Sequence, residues 1–174
     1  EAQRYITVRG QQFMPGDRNR VLFPMGFCRE CGQAYYSVRK TTLPESDDLV
    51  FLPRGIMDRD AGEGEQIGYL YLSARNPWPR SPAGLIERVP DDWIEEGPAG
   101  PRIRKNRRPQ LPRSFAVGTD GCQSETGVVC EFIDSPFRFC LNCGVSYSFR
   151  GTDYVRLSSL DAGGRSSATT ILAL

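Results

Sequence analysis

The chain has 174 residues, 39% of them apolar and 25% charged, with a formal net charge of +1. That is one domain's length in a soluble globular class, and a charge so balanced argues neither for nor against a nucleic-acid partner except through local clusters. There is no histidine, which excludes Ser-His-Asp and Cys-His nucleophile activation and the usual histidine-bearing catalytic zinc sites, leaving acid–base work to Asp, Glu, Tyr or Lys.

With 18 Gly and 13 Pro, many turns and short strands are expected rather than a helix bundle. In chain order, Arg4 to Met14 alternates well enough for two strands around a turn at Arg9-Gly10, and the following "PGDRNR" reads as a loop. Val21 to Phe27 is an apolar strand with Pro24 hinting at an edge or bulge, and Ala34 to Arg39 is the returning strand of a hairpin tipped by Cys-x-x-Cys-Gly. Leu49 to Arg54 and Ile67 to Ala74 are two more strands, separated by an acidic, Gly-containing loop that lacks any complete phosphate-binding motif. "VPDDWIEEG" has an acidic first turn after Pro90 and a glycine stop, which predicts one short helix. Residues 97–114 read as a Pro/Gly-rich basic connector. "SFAVG" and "GVVCEFI" then form a hairpin around "TDGCQSET", a second cysteine hook follows, and "SSLDAGGRSSATTILAL" reads as a loop into a C-terminal helix capped by Ser166 or Ser167.

The hooks carry the strongest chemical signal. "FCRECGQAY" (Phe27 to Tyr35) and "FCLNCGVSY" (Phe139 to Tyr147) share the pattern Phe-Cys-x-x-Cys-Gly-x-x-Tyr. In a rubredoxin-type knuckle the backbone N–H groups turn toward the thiolates, and glycine supplies the permissive dihedral after the second ligand. Two knuckles make one four-thiolate site, so Cys28, Cys31, Cys140 and Cys143 are candidate ligands of a single structural Zn2+. Closing a loop of about a hundred residues costs on the order of 4 kcal/mol, whereas structural zinc contributes ~10–16 kcal/mol in small peptides. The competing reading is reduced core cysteines or disulfides. Cys130 reads as a small core residue and Cys122 as a turn residue.

Arg102, Arg104, Lys105, Arg107, Arg108 and Arg113 cluster in and beside the connector. They read either as phosphate contacts for DNA or as a solvated linker face. Tyr35, Tyr36, Tyr147 and Phe149 follow the hooks and could stack on bases or pack the ribbon's core; for Trp78 and Trp93 burial is the default.

The stretches carrying the hooks, with Cys28, Cys31, Cys140, Cys143, Arg165, Ser166, Ala168 and Thr169 as matching residues, resemble a region inside large bacterial DEAD/DEAH-box superfamily 2 helicases. These are the cysteine-cluster group related to Lhr-like, mitomycin-repair and DISARM-type helicases. The resemblance covers roughly residues 1–40 and 136–174 and implies a cysteine-rich β segment between two motor lobes. The chain itself has no Walker A motif, no DEAD/DEAH box and no arginine-finger motif, so the resemblance implies an accessory domain rather than a motor.

The expectation is therefore a mostly β fold with minor α: a short-stranded sheet domain with a four-cysteine zinc ribbon over residues 1–156, and a linker and helix over 157–174 leading toward a motor lobe of the same longer chain. Its expected role is non-catalytic, a structural-zinc accessory domain of an ATP-dependent DNA helicase that assists nucleic-acid engagement. The alternative is a module that positions the lobes or docks a DNA-repair or phage-defence protein. No apolar run approaches a membrane span and no secretion signal opens the chain, so a cytoplasmic location without membrane partners is expected.

Overall fold

Short runs rich in aromatic and β-branched residues, punctuated by Gly and Pro, form strands of two to nine residues. The computed structural model describes residues 5–7, 10–147, 151–159 and 168–169. Its elements are β1 (Ile6–Thr7), β2 (Phe13–Met14), β3 (Asp17–Val21), β4 (Phe23–Cys28), β5 (Ala34–Thr42), β6 (Leu49–Pro53), β7 (Gln66–Tyr71), α1 (Pro82–Arg88), β8 (Ile94–Gly97), β9 (Gly100–Ile103), β10 (Arg113–Val117), β11 (Val128–Asp134), α2 (Asp153–Arg156), β12 (Leu157–Ser158) and β13 (Ala168–Thr169). The main sheet is antiparallel in the order β1-β13-β4-β5-β7-β11-β10; β12 pairs with β4, and β6 with β5. β2–β3 and β8–β9 form separate hairpins.

The sheet is covered on both faces. Because side chains alternate along a strand, Tyr35 of β5, Tyr69 and Tyr71 of β7 and Ile133 of β11 enter one core, together with Trp78, Trp93, Phe137 and Phe139. Their neighbours Tyr36, Val38, Leu70, Cys130 and Phe132 enter a second core on the opposite face, with Phe23 and Phe51. Each large side chain fully withdrawn from water contributes ~1.5–3 kcal/mol, so both faces hold the sheet. The first core also contains Cys28 and Cys140, which places the hooks at the end of the β4–β5 hairpin.

Several local expectations differ from the structure. β1 and β2 do not pair with each other: β1 joins β13, and β2 joins β3. "PGDRNR" is mostly strand β3, because Gly16 at φ +81° turns the chain back onto β2. The helix expected after Pro90 is only a 3₁₀ turn, Asp91–Trp93, after which Ile94 to Gly97 pair with β9. The nearby α-helix is instead α1, with Ser81 as N-cap accepting from Gly84 N and Pro82 opening the first turn. The connector over 97–114 contains β9, a 3₁₀ turn at Arg108–Gln110 and the start of β10. Most of the expected C-terminal helix, with Arg165 and Ser166, lies outside the described residues; Ala168 and Thr169 are strand, paired with Pro24 and Phe23.

Candidate metal centre and basic surface

The two hooks fold alike. Gly32 N donates to Cys28 O at 2.8 Å and Gly144 N to Cys140 O at 2.9 Å, while Cys28 N and Cys140 N donate to Gln33 O and Val145 O, both at 2.9 Å. Gly32 and Gly144 both have φ +73°, a left-handed conformation in which glycine alone is unstrained. These turns bring all four sulfurs within 4.8 Å of one another. Cys28 Sγ lies 3.9 Å from Cys143 Sγ, and Cys31 Sγ lies 3.7 Å from Cys140 Sγ. A tetrahedron of ~2.3 Å metal–sulfur bonds has edges of about 3.8 Å, so the spacing fits one shared ion. All six cysteines are free thiols, and a disulfide would need sulfurs about 2.05 Å apart. Four soft thiolates in a tetrahedral set leave no open position for substrate or water.

The tyrosine that ends each hook reaches the other hook. Tyr35 OH lies 3.2 Å from Cys140 Sγ and Tyr147 OH lies 3.7 Å from Cys28 Sγ. Each therefore addresses the first cysteine of the opposite copy, and the repeat extends past the cysteines to a reciprocal pair. Asn142 adds its backbone N–H to Cys140 and its side-chain amide to Cys31, both at 3.4 Å. Donors aimed at a thiolate orient it and lower its basicity. A hydrogen bond from Cys140, with further donation from the Cys31 and Glu30 amides, brings the Cys28 thiol down to about 4. The same bond, together with burial, pushes Cys140 up. Cys28 and Cys140 thus hold their protons unequally, and a cation would displace those that remain. Burial also raises Tyr35 and Tyr147, keeping both hydroxyls protonated as donors.

Two groups that the sequence reading did not single out hold the second hook in place. Asp153 accepts from Tyr69 OH at 2.8 Å, Ser135 OH at 2.6 Å and Phe137 N at 2.8 Å, and it pairs with Arg156 at 3.3 Å in a buried contact. Arg156 donates onward to Phe137 O at 2.9 Å. From the other side, Arg88 of α1 donates to Leu141 O and to Asn76 Oδ1, and Asn76 donates to Asn142 Oδ1 at 2.8 Å. A Tyr at the same offset in both hooks was the available signal for the tyrosines. No local pattern marks Asp153, whose partners other than Arg156 come from two separate segments, Tyr69 and residues 135–137.

The structure divides the basic cluster. Arg102 pairs with Glu95 at 2.9 Å, Arg107 with Asp92 at 3.4 Å, and Arg113 with Asp134 at 2.9 Å. Arg107 also lies over the Trp93 ring and Arg113 over Phe132. Arg104 and Arg108 are exposed and donate to the backbone carbonyls of Ile94 and Ile103. Lys105 is exposed beside them. Of the aromatic candidates, Tyr35, Tyr36, Trp78 and Trp93 are buried and Tyr147 is half-buried, so none offers an open ring face as a base-stacking platform would; Phe149 lies outside the described residues. Cys130 is buried in the second core, as expected. No helix among the described residues is long and apolar enough to cross a membrane. Comparison with protein-family models, curated proteins and solved structures finds no match to this chain.

Proposed function

We propose that this chain is a zinc-clamped accessory domain of a larger ATP-dependent DNA helicase, non-catalytic itself and joined to the motor lobes of the same protein. The observation that carries the zinc assignment is the sulfur quartet, gathered within 4.8 Å, with two of its edges, 3.9 and 3.7 Å, at the length of a four-thiolate tetrahedron. Such a set suits zinc or iron; zinc, without redox chemistry, fits a clamp whose work is to hold two hooks 109 residues apart. Elemental analysis should find one zinc per chain; iron instead, or a metal-free protein that unfolds cooperatively, would overturn the assignment. Cysteines held by a metal or unpaired rather than in disulfides fit a reducing compartment, which supports a cytoplasmic location. The helicase context rests on the resemblance of the hook segments.

The nucleic-acid role rests on Arg104, Lys105 and Arg108, exposed and without carboxylate partners among the described residues. Three phosphate contacts to single-stranded DNA give a salt slope of about −2. Fluorescence anisotropy on the zinc-loaded protein should show binding that weakens with salt and is lost when the three are changed to Glu. Binding that ignores both changes would sink the role.

A second reading, protein docking, is favoured by the neutralised half of the cluster. Glu95, Asp92 and Asp134 interrupt the basic face at Arg102, Arg107 and Arg113. Partner capture that needs no basic residue would distinguish it.

A further inference from the structure

A groove of about 680 Å³ runs between α1 and the β8–β9 hairpin. Its apolar lining includes Leu85 and Ile86 of α1, Pro101 and Ile103 of β9, and Leu111. α1 has seven residues and none is buried, although helices so short hold in water only by packing. Leu85 and Ile86 rest on the core cluster that contains Trp78, Val89 and Trp93, yet both stay half-exposed and also line the groove. The helix therefore has apolar surface left over on its groove side.

The charges are one-sided. Arg102 and Arg108 line the groove with one carboxylate, Glu87, and Arg102 is already paired with Glu95 at 2.9 Å, which leaves Arg108 as the cation open to a partner. Arg108 has no carboxylate partner among the described residues, and exposed Arg104 and Lys105 follow Ile103 directly. The volume lies within the ~300–1,000 Å³ of ligand-sized clefts. However, polar groups do not converge on its floor as they do for a small metabolite: apart from the three charged side chains, the lining is Pro, Ala, Leu and Ile. Nor does it offer rings for bases to stack on, since no aromatic side chain lines it and Trp78 and Trp93 are only 7% and 3% exposed.

We infer that this groove docks an amphipathic helical segment of a protein partner, its apolar anchors spaced i, i+3 and i+4 against Leu85, Ile103 and Leu111 and its flanking acidic residues facing Arg108 and the neighbouring Arg104 and Lys105. The inference rests on the docking reading and names its site and the partner's chemistry. Of the three residues on which the nucleic-acid role rests, Arg108 lines the groove and Arg104 and Lys105 stand at its rim. Helix-in-groove recognition takes its affinity from the apolar anchors and its choice of partner from the charged rim.

The test uses the zinc-loaded protein and two labelled amphipathic peptides of roughly 18 residues, long enough to hold a helix. They share Leu anchors and differ in carrying Glu or Lys at the flanks. The Glu peptide is expected to bind at least about tenfold tighter than the Lys peptide, with amide chemical-shift changes centred on Leu85, Ile103 and Leu111. Ala83→Trp, at an exposed groove position of α1, fills the space without touching the core and is expected to abolish binding while zinc content and melting stay unchanged. Arg108→Glu should remove the preference for Glu flanks. Four outcomes overturn the inference: no binding; equal binding of the two peptides; single-stranded DNA producing the same groove shifts with no peptide effect; or self-association abolished by Ala83→Trp, which would assign the groove to a second copy. Glu-peptide binding that survives Ala83→Trp, with shifts elsewhere, overturns the groove while leaving the docking reading intact.

Discussion

Tyr35 uses one oxygen twice: it accepts from Leu141 N at 2.7 Å and bonds Cys140 Sγ, in a position with no exposure to water. Tyr35→Phe strands a buried N–H, at a cost of about 1–3 kcal/mol, and removes a donor to a ligand. Metal affinity measured by chelator competition should fall ~10–100-fold. Tyr147→Phe should do less, because Tyr147 is only half-buried and makes a longer contact. Asp153→Ala breaks its buried ion pair with Arg156, which costs ~3–5 kcal/mol in urea unfolding of the zinc-loaded protein. Cys130 gives a pH signature. Burial, then the charge of Glu131, pushes its thiol from 9.0 up to about 12. Since the folded value is the higher one, the stability it confers is complete below about pH 9 and is lost as the pH rises through 12. Unfolding followed from pH 8 upward should show a shallower alkaline decline in Cys130→Ala than in the parent. Cys28, Cys31, Cys140 and Cys143 were legible as one set able to hold a metal because the knuckle is a local turn. Tyr35 and Tyr147 showed only as a repeated letter, because the sequence cannot say that each crosses to the opposite hook.

At the scale of elements, β7 is the strand the fold can least afford to alter. It lies between β5 and β11, and Gly68 pairs with Val38 on one side and Asp134 on the other. A Cβ there would stand 2.2 Å from Ile133 O and 2.7 Å from the Phe132 ring, so backbone would have to move. Gly68→Ala should destabilise by more than about 2 kcal/mol, read as a lowered urea midpoint. The β4–β5 and β10–β11 hairpins were readable from alternation around turn residues. The β8–β9 hairpin was not, because "DDW" after Pro90 carries a helix-start signal that stops after one 3₁₀ turn. Pairing with β9, including the Glu95–Arg102 contact across it, then decides the conformation. α1 was missed for the converse reason. Its start signal, Ser81-Pro82, sits among prolines that read as loop, and its apolar face became meaningful only once the core beside it was in place.

For the whole molecule, the metal is expected to decide whether there is a fold. A structural zinc worth ~10–16 kcal/mol is of the same size as the ~5–15 kcal/mol net stability of an ordinary domain. Chelation should therefore abolish cooperative thermal unfolding rather than shift the midpoint by a few degrees, and readdition of zinc should restore it; calorimetry with and without chelator checks both. Sequence by itself determined the β class, the absence of histidine chemistry and the four-sulfur set, because composition and a nine-residue turn motif are local properties. Only the tertiary structure decided which cations remain unpaired, which tyrosine serves which sulfur, and that Asp153 anchors the second hook. Each of those depends on residues far apart in the chain meeting in space, such as Tyr35 and Cys140 at 105 positions or Tyr69 and Asp153 at 84. No local pattern encodes such a meeting; it follows from how the whole sheet closes between its two cores.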